Sequence, residues 1–294
     1  MEALGGGVGV ALFFMLSGAV LMMTNKDKSI LYFYKKRLIK IEIPQIIGFL
    51  IAFLAMYIVN KTIITSTNIA GFLISTFGLN SSCIPWRSFG VHTIWAIGEW
   101  FTTVIIILYI IFPLLRKLIK QHVLITTIFI TCIFALNLKL KILTAGNGWF
   151  SISNGLMCFW LGMLFNEYRT LIYKYKSLTI GATFLLLVAT WTTKPIQIVD
   201  SNYLPTFIFS LLLFILLYQC KISNRFTCYI CKYNYELYLV HHRIYILFLP
   251  ALLSPNSDNL QIILAFMLLT GFVLLSSEFL QRISSYIVKR LTLQ

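Results

Sequence analysis

Continuous apolar runs recur along the whole chain, and they restrict its fold more than any other feature. Most of them approach or exceed the roughly 17 residues that a helix needs to cross the hydrocarbon core of a bilayer. Their residues do not alternate with polar ones, as the strands of a membrane barrel require. The sequence therefore predicts an all-α bundle with about nine transmembrane spans, in a single domain over residues 1–294. The predicted spans are 8–24, 42–60, 94–115, 123–138, 150–166, 178–193, 204–220, 233–253 and 260–281.

The basic residues predict how the bundle is oriented. The chain has 24 Lys and Arg against 9 Asp and Glu, a net charge of +15. Eighteen of the basic residues fall in one set of alternate loops and five in the opposite set, which predicts that the first set and the C-terminus face the cytoplasm of a plasma-membrane protein. Because these charges are scattered among apolar runs, they indicate a membrane partner and no nucleic acid.

The beginning of the chain departs from a simple topology. Nine spans with a cytoplasmic C-terminus place the N-terminus outside, and the glycine-rich start resembles a loop entering a second helix. We therefore expect a preceding transmembrane helix that this chain lacks, and a groove beside Gly7, Ala11 and Gly18 where that helix would pack. Residues 69–80 are apolar but too short to span, which predicts an interfacial or re-entrant segment.

Five ionisable side chains lie in or at the ends of predicted spans, where they are costly and mark either function or a buried polar pair. They are Glu99, Glu236, His241, His242 and Arg243. An imidazole towards the middle of the membrane could take a proton from a hydroxyl group near neutral pH. The alternative is that these groups form a structural polar cluster inside the bundle.

Two further segments each allow two interpretations. Gly7, Ala11 and Gly18 share a helix face, so the Ser17–Gly18 step either lets a neighbouring helix approach or leaves a gap for a substrate chain. The basic segment 26–44 contains Lys36, Arg37 and Lys40, which could hold either lipid headgroups or the phosphates of a nucleotide-like donor.

The cysteine pattern predicts no metal site. Cys228 and Cys231 form a CxxC pair, but structural zinc usually requires a second pair of ligands. Ordinary reduced thiols are the better interpretation.

Four segments together resemble the membrane acyltransferase type-3 family. GVGVALFFMLSG over 7–18 is similar to the second helix of that family, and a basic stretch ending at Pro44 follows it. EWFTTVIIILYIIFPLL over 99–115 and YNYELYLVHH over 233–242 are similar to two later segments, the second of which includes His241. The resemblance runs in one order over almost the whole chain.

The resemblance implies transfer of an acyl group, usually acetyl, from acyl-coenzyme A to a sugar hydroxyl of a cell-envelope or exported polysaccharide. No permanently bound cofactor is implied, because acyl-coenzyme A is the donor substrate. The implied donor site is Lys36, Arg37 and Lys40. The candidate catalytic residues are His241, Ser17 and Gly18, which lie in the matching segments, and Glu99, which is an ionisable residue inside a predicted span. The family places its main histidine base in the helix that precedes residue 1 of this chain, so His241 is expected to have a supporting role.

Two departures and two alternatives accompany this expectation. Lys40 stands where the family often has Arg, and Gly98–Glu99 stands where many members have a histidine-bearing dipeptide. Arg binds phosphate through two parallel hydrogen bonds and Lys does not. A flippase or transporter of polysaccharide explains the bundle and its charges equally well, but not the ordered motifs. The second alternative is an inactive fragment of the acyltransferase.

Overall fold

The computed structural model describes residues 4–24, 29–59, 69–79, 89–140, 151–192, 203–218, 224–254 and 257–292. The described residues form helices and contain no strand, which confirms the predicted all-α class. Several residues named or counted above lie outside the described residues: Lys26, Lys28, Lys61, Arg87, Lys141, Lys194 and Lys221.

The helices of the first half of the chain are, in order, α1 Leu4–Thr24, α2 Ile30–Val59, α3 Ile69–Thr76, α4 Glu99–Gln121, α5 Val123–Leu140 and α6 Ile152–Glu167. Those of the second half are α7 Arg169–Lys174, α8 Lys176–Thr192, α9 Tyr203–Leu217, α10 Arg225–Lys232, α11 Asn234–Leu252 and α12 Asn259–Thr292.

The number of membrane spans differs from the prediction. Among the described residues, four helices are long and apolar enough to cross a bilayer: Gly6–Thr24, Ile30–Ile58, Glu99–Gln121 and Asn259–Leu291. Three shorter apolar helices cover Val123–Leu138, Lys176–Thr190 and Leu204–Leu217. The count of nine is therefore not confirmed. The chain is nonetheless a membrane protein by the length and composition of these helices.

The chain folds into two compact units. Unit 1 consists of Met1–Tyr34 and Val104–Lys221, and unit 2 consists of Lys35–Thr103 and Ile222–Gln294. The boundaries fall inside α2 and α4, so each of these helices contributes residues to both units.

Unit 1 is built around the close packing of α1 on α6. Phe14 and Met15 of α1, and Phe159, Trp160 and Met163 of α6, are all fully buried. Ser151 directly precedes α6, and its hydroxyl accepts a hydrogen bond from the Asn154 backbone N–H and so caps the first turn. In addition, α9 packs on α1 and α8 packs on α9.

Unit 2 has an aromatic cluster and a helix pair. Phe49 and Phe53 of α2 pack against Phe72 of α3, with ring centroids 5.7 and 5.0 Å from the Phe72 ring. α11 packs on α12 through Ile244, Leu269 and Val273.

The segment predicted as interfacial forms α3 and the turn that follows it. Gly78 has a φ of 65°, a backbone conformation that residues other than glycine rarely adopt. The Thr103 hydroxyl donates to the Gly78 carbonyl oxygen at 2.5 Å, which fixes this turn against the start of α4.

Candidate active site

The loop that leads into α4 is outside any helix and largely buried, so its backbone groups need hydrogen-bond partners from elsewhere in unit 2. Residues 94–97, which we call the buried loop, include Ala96 with no exposed surface and Ile94 and Ile97 at 5% exposure, whereas the side chain of Trp95 is exposed. A buried backbone outside a helix must find hydrogen-bond partners for its N–H and C=O groups. Side chains supply them here.

Glu99 and Arg243 bind this loop from two elements. Glu99 Oε1 accepts hydrogen bonds from the backbone N–H groups of Ala96 at 2.8 Å and Ile97 at 2.7 Å. Arg243 Nε donates to the Ala96 carbonyl at 2.6 Å, and Arg243 Nη2 donates to the Trp95 carbonyl. Hydrogen bonds with one charged partner are stronger than neutral ones, so the loop is held firmly. Glu99 and Arg243, two of the ionisable residues predicted to mark a site, therefore both bind the buried loop.

The second carboxylate oxygen of Glu99 remains available. Glu99 is 1% exposed, and its Oε2 has no hydrogen-bond partner among the residues that the structure describes. A buried polar atom without a partner is costly and calls for an explanation. This oxygen is thus placed to accept a proton or to bind a donor group of a ligand.

A hydroxyl network lies one turn further along α4. Thr102 Oγ1 is 3.0 Å from Gln45 Oε1 and 3.2 Å from the Tyr235 hydroxyl, which is in turn 3.3 Å from the Ile41 carbonyl oxygen. These contacts connect α2, α4 and α11 within unit 2.

The imidazole of His241 is oriented by its own helix. Nδ1 is 2.7 Å from the Tyr238 carbonyl oxygen and 3.1 Å from that of Leu237. Carbonyl oxygens only accept hydrogen bonds, so Nδ1 carries the proton of the neutral ring and Nε2 keeps its lone pair. This is the tautomer that a proton acceptor needs. His241 is half-buried, whereas the neighbouring His242 is exposed.

Tyr238 connects His241 with the start of α4. Its ring lies 5.6 Å from the His241 ring and 4.3 Å from the ring of Phe101. A side chain at Gly98 would meet Tyr238, since an added Cβ would lie 2.9 Å from the Cζ atom. Gly98 is therefore the residue that makes room for this tyrosine.

The other catalytic candidates belong to unit 1. Gly18 faces the backbone of α6, where an added Cβ would lie 3.0 Å from the Phe159 carbonyl carbon and 3.2 Å from the Met163 nitrogen. Ser17 precedes it and is half-buried. These contacts favour helix packing over a substrate gap at Gly18. The groove expected beside Gly7, Ala11 and Gly18 is not found at the last two among the described residues, because both are buried and α6 packs on α1, whereas Gly7 is half-buried.

The predicted donor residues lie in a helix and not in a loop. α2 begins at Ile30, so Lys36, Arg37 and Lys40 all belong to it. Lys36 and Arg37 are half-buried and Lys40 is exposed. They fall within about 100° of the helix circumference, since each residue turns the chain by that angle.

The sequence analysis identified the ionisable residues of the site but missed uncharged polar residues that lie near them. Glu236 is 8% exposed in the first turn of α11, and it was found because it is ionisable. Gln45 and Thr102 were overlooked, although both are polar residues inside apolar runs and fully buried. Their polarity in an apolar context was the signal that could have found them.

Comparison with known proteins gives one match. The family model described as an acyltransferase domain, that of the type-3 acyltransferases, matches residues 2–291. No characterised protein and no solved structure matches the chain.

Proposed function

Since this chain belongs to the membrane acyltransferase type-3 family, we propose that it transfers an acyl group, usually acetyl, from acyl-coenzyme A to a hydroxyl group of a cell-envelope or exported polysaccharide. The acyl thioester of the donor is already activated. The protein has to deprotonate the acceptor hydroxyl and stabilise the oxyanion that forms on the attacked carbonyl.

The contacts of His241 Nδ1 with two carbonyl oxygens are the observation that carries the assignment of the site. With Nδ1–H bound to the carbonyl oxygens of Tyr238 and Leu237, the Nε2 lone pair points away from the helix backbone. A neutral imidazole in this state accepts the proton of the acceptor hydroxyl as its oxygen bonds to the thioester carbonyl carbon. When the C–S bond breaks, the proton passes to the coenzyme A thiolate that leaves. In this proposal His241 supports the proton transfer, in keeping with the expectation from the family resemblance.

Glu99 and Arg243 have a positioning role in this proposal. Both bind the buried loop through its backbone, and the loop precedes α4 directly. Holding reacting groups in one geometry contributes to the rate without any chemical step by the residues themselves. Glu99 Oε2, buried and without a partner among the described residues, is the atom of this pair that could contact the substrate.

Donor binding is assigned to α2. Lys36, Arg37 and Lys40 present three cations within a narrow sector of the helix. The phosphates of a coenzyme A donor suit such a group, with Arg37 able to bind two phosphate oxygens at once. This assignment also places the basic end of α2 and the C-terminus on the cytoplasmic side of the plasma membrane.

The test of the His241 role is transfer of radiolabelled acetyl groups from acetyl-coenzyme A to polysaccharide in membranes containing the chain. His241→Ala is expected to lower the transfer rate by about tenfold to a hundredfold, the lower range for general acid–base groups. His242→Ala is the matched control, because it removes an exposed imidazole from the same helix turn. Equal rates for the two variants would contradict the assignment.

The donor site is tested by binding. Arg37→Ala is expected to weaken acyl-coenzyme A binding by about tenfold, the effect of losing one charge-assisted hydrogen bond. Raising the salt concentration should weaken binding to the unaltered protein as well. Lys35→Ala is the control, since Lys35 is exposed and outside the assigned group. Unchanged donor affinity for Arg37→Ala at both salt concentrations would assign these cations to lipid headgroups.

A further inference from the structure

Unit 1 contains a cavity of about 520 Å³ that the proposed reaction does not use. It lies where four helices end or begin. Met22 and Met23 come from the last turn of α1, Arg116 and Lys120 from the last part of α4, Asn166 and Glu167 from the end of α6, and Arg169 from the start of α7. The size falls within the range of small-ligand sites.

The charge of the lining indicates an anionic ligand. Three cations, Arg116, Lys120 and Arg169, face one carboxylate, Glu167, so the described lining residues have a net charge of +2. Two of the cations are arginines, which bind phosphate oxygens in pairs. A phosphate group placed among them would gain several charge-assisted hydrogen bonds.

Asn166 indicates that the ligand also carries a hydrogen-bond donor. Its Oδ1 is buried and has no hydrogen-bond partner among the described residues, although the residue lines the cavity. An amide oxygen only accepts hydrogen bonds. A phosphate ester without its own O–H or N–H group would leave this oxygen unsatisfied, and a headgroup with a hydroxyl next to the phosphate would satisfy it.

The residues around the cavity are typical of the lipid-headgroup level of a membrane protein. Tyr168, Tyr173 and Tyr175, in and around α7, are 37%, 48% and 48% exposed. Tyrosines concentrate where the apolar membrane core meets the headgroup layer, because the ring is apolar and the hydroxyl is polar. Lys174 and Lys176 in the same segment have long apolar stems that let an ammonium group reach that layer.

We propose that this cavity binds an anionic phospholipid whose headgroup carries hydroxyl groups beside its phosphate, as phosphatidylglycerol does. Arg116, Lys120 and Arg169 hold the phosphate, and Asn166 Oδ1 accepts a hydrogen bond from a headgroup hydroxyl. Met22 and Met23 contact the apolar part of the lipid next to the headgroup. This inference is independent of the acyl-transfer proposal, because none of its residues belongs to the assigned active site or donor site.

The experiment is native mass spectrometry of the full chain, purified in detergent and titrated with phosphatidylglycerol, phosphatidic acid or phosphatidylcholine. The unaltered protein is expected to bind phosphatidylglycerol at least tenfold more tightly than phosphatidylcholine. Arg116→Gln and Arg169→Gln should each weaken phosphatidylglycerol binding by about tenfold, the effect of losing a charge-assisted hydrogen bond. Lys176→Gln is the control, because it removes a nearby basic residue that does not line the cavity.

Asn166→Leu separates the hydroxyl contact from the phosphate contact. In alkaline buffer, where phosphatidic acid has no P–O–H group to donate, it should reduce the preference for phosphatidylglycerol over phosphatidic acid, by about fivefold for one neutral hydrogen bond, and leave phosphatidic acid binding unchanged. Arg169 is exposed, so Arg169→Gln keeps the test available if Arg116→Gln does not fold. Equal binding of the three lipids, or unchanged binding by both arginine variants, would overturn the proposal. Displacement of phosphatidylglycerol by coenzyme A would also overturn it, because the cavity would then be a donor site.

Discussion

Both units use glycine for close contact, with side chains as partners at Gly155 of unit 1 and at Gly98 of unit 2, and with main-chain partners at two positions of unit 1. In unit 1, Gly18 of α1 and Gly162 of α6 each face the backbone of the other helix. In unit 2, Gly98 faces the ring of Tyr238, a side chain, beside a loop that is held by hydrogen bonds to Glu99 and Arg243. Unit 1 is thus held by steric fit, and the site in unit 2 by polar contacts. The first arrangement suits a scaffold, and the second suits a place where groups must be oriented for chemistry.

The largest effect is expected at the helix interface of unit 1. Gly18→Leu places a side chain against the Phe159 and Met163 backbone, which cannot rotate away. We expect a loss of at least about 3 kcal/mol of unfolding free energy, the upper range for overpacking, and loss of acyl transfer. Thermal unfolding followed by circular dichroism measures the first. Gly9→Leu is the control, because an added Cβ at Gly9 meets nothing within 4 Å. Similar melting of the two variants would show that the interface tolerates bulk.

The next effect concerns the buried loop. Arg243→Gln removes the hydrogen bonds to the Trp95 and Ala96 carbonyls and leaves Glu99 without its cationic counterpart on the loop. A loss of about 2–3 kcal/mol is expected for hydrogen bonds to a charged group, together with a strong decrease in transfer. The measurement is denaturant unfolding combined with the acetyl-transfer assay. Arg282→Gln provides the comparison, since Arg282 pairs with Glu278 at an exposed position and should change little.

A smaller effect is expected where glycine meets a side chain. At Gly98→Ala the Tyr238 ring has to move, and a side chain can do so more easily than a backbone. The expected loss is about 1–2 kcal/mol, within the range for overpacking, and transfer should fall because Tyr238 lies beside His241. Gly271→Ala in α12 has open space around the added carbon and should be neutral or slightly stabilising. If Gly98→Ala proves as damaging as Gly18→Leu, the contrast between the units is wrong.

The smallest effect is expected for Tyr235→Phe, which should slow acyl transfer more than its small loss of stability explains. Tyr235→Phe removes the hydroxyl that contacts Thr102 and the Ile41 carbonyl, at a cost of about 1 kcal/mol for a neutral hydrogen bond. Tyr245→Phe removes a comparable contact with Thr270, at 2.8 Å, away from the site. We expect similar melting temperatures for both variants but slower transfer only for Tyr235→Phe. Equal transfer rates would reduce the hydroxyl network to a structural role.

The sequence analysis predicted the class of the fold better than the bounds of the helices and the number of membrane spans. Long apolar runs leave few options in a bilayer, so the all-α class followed directly from them. The start of α2 at Ile30 was not predicted, because Lys35, Lys36 and Arg37 interrupt the apolar pattern although lysine and arginine favour helices. The number of spans is also not settled by hydropathy, since α11 contains His241, His242 and Arg243 within a single turn.

The sequence analysis predicted the charged residues of the candidate site but not the groups to which they bind. Glu99 and Arg243 were identified because ionisable residues are costly in apolar spans. Their meeting at the buried loop depends on how the loop before α4 folds, and no local pattern in residues 91–98 specifies that conformation. Periodicity along α11 places Arg243 on the same stripe as Glu236, yet the groups that Arg243 binds are backbone carbonyls of a segment 147 and 148 residues away. A sequence pattern shows which side chains a segment has, but the partners of Arg243 are main-chain carbonyl groups, whose positions depend on the fold.

The contact of Gly18 with α6 has a consequence for how this sequence can change over generations. A larger residue at one side of a helix interface is often accommodated by a smaller residue on the other side. That route is closed at Gly18 and at Gly162, because the atoms that they meet are the main-chain atoms of Phe159, Met163 and Met15, which every amino acid possesses. No second substitution in α6 or α1 shortens a carbonyl group. These two positions should therefore remain glycine while the aromatic residues around them drift, and a paired change at the two sites should not occur.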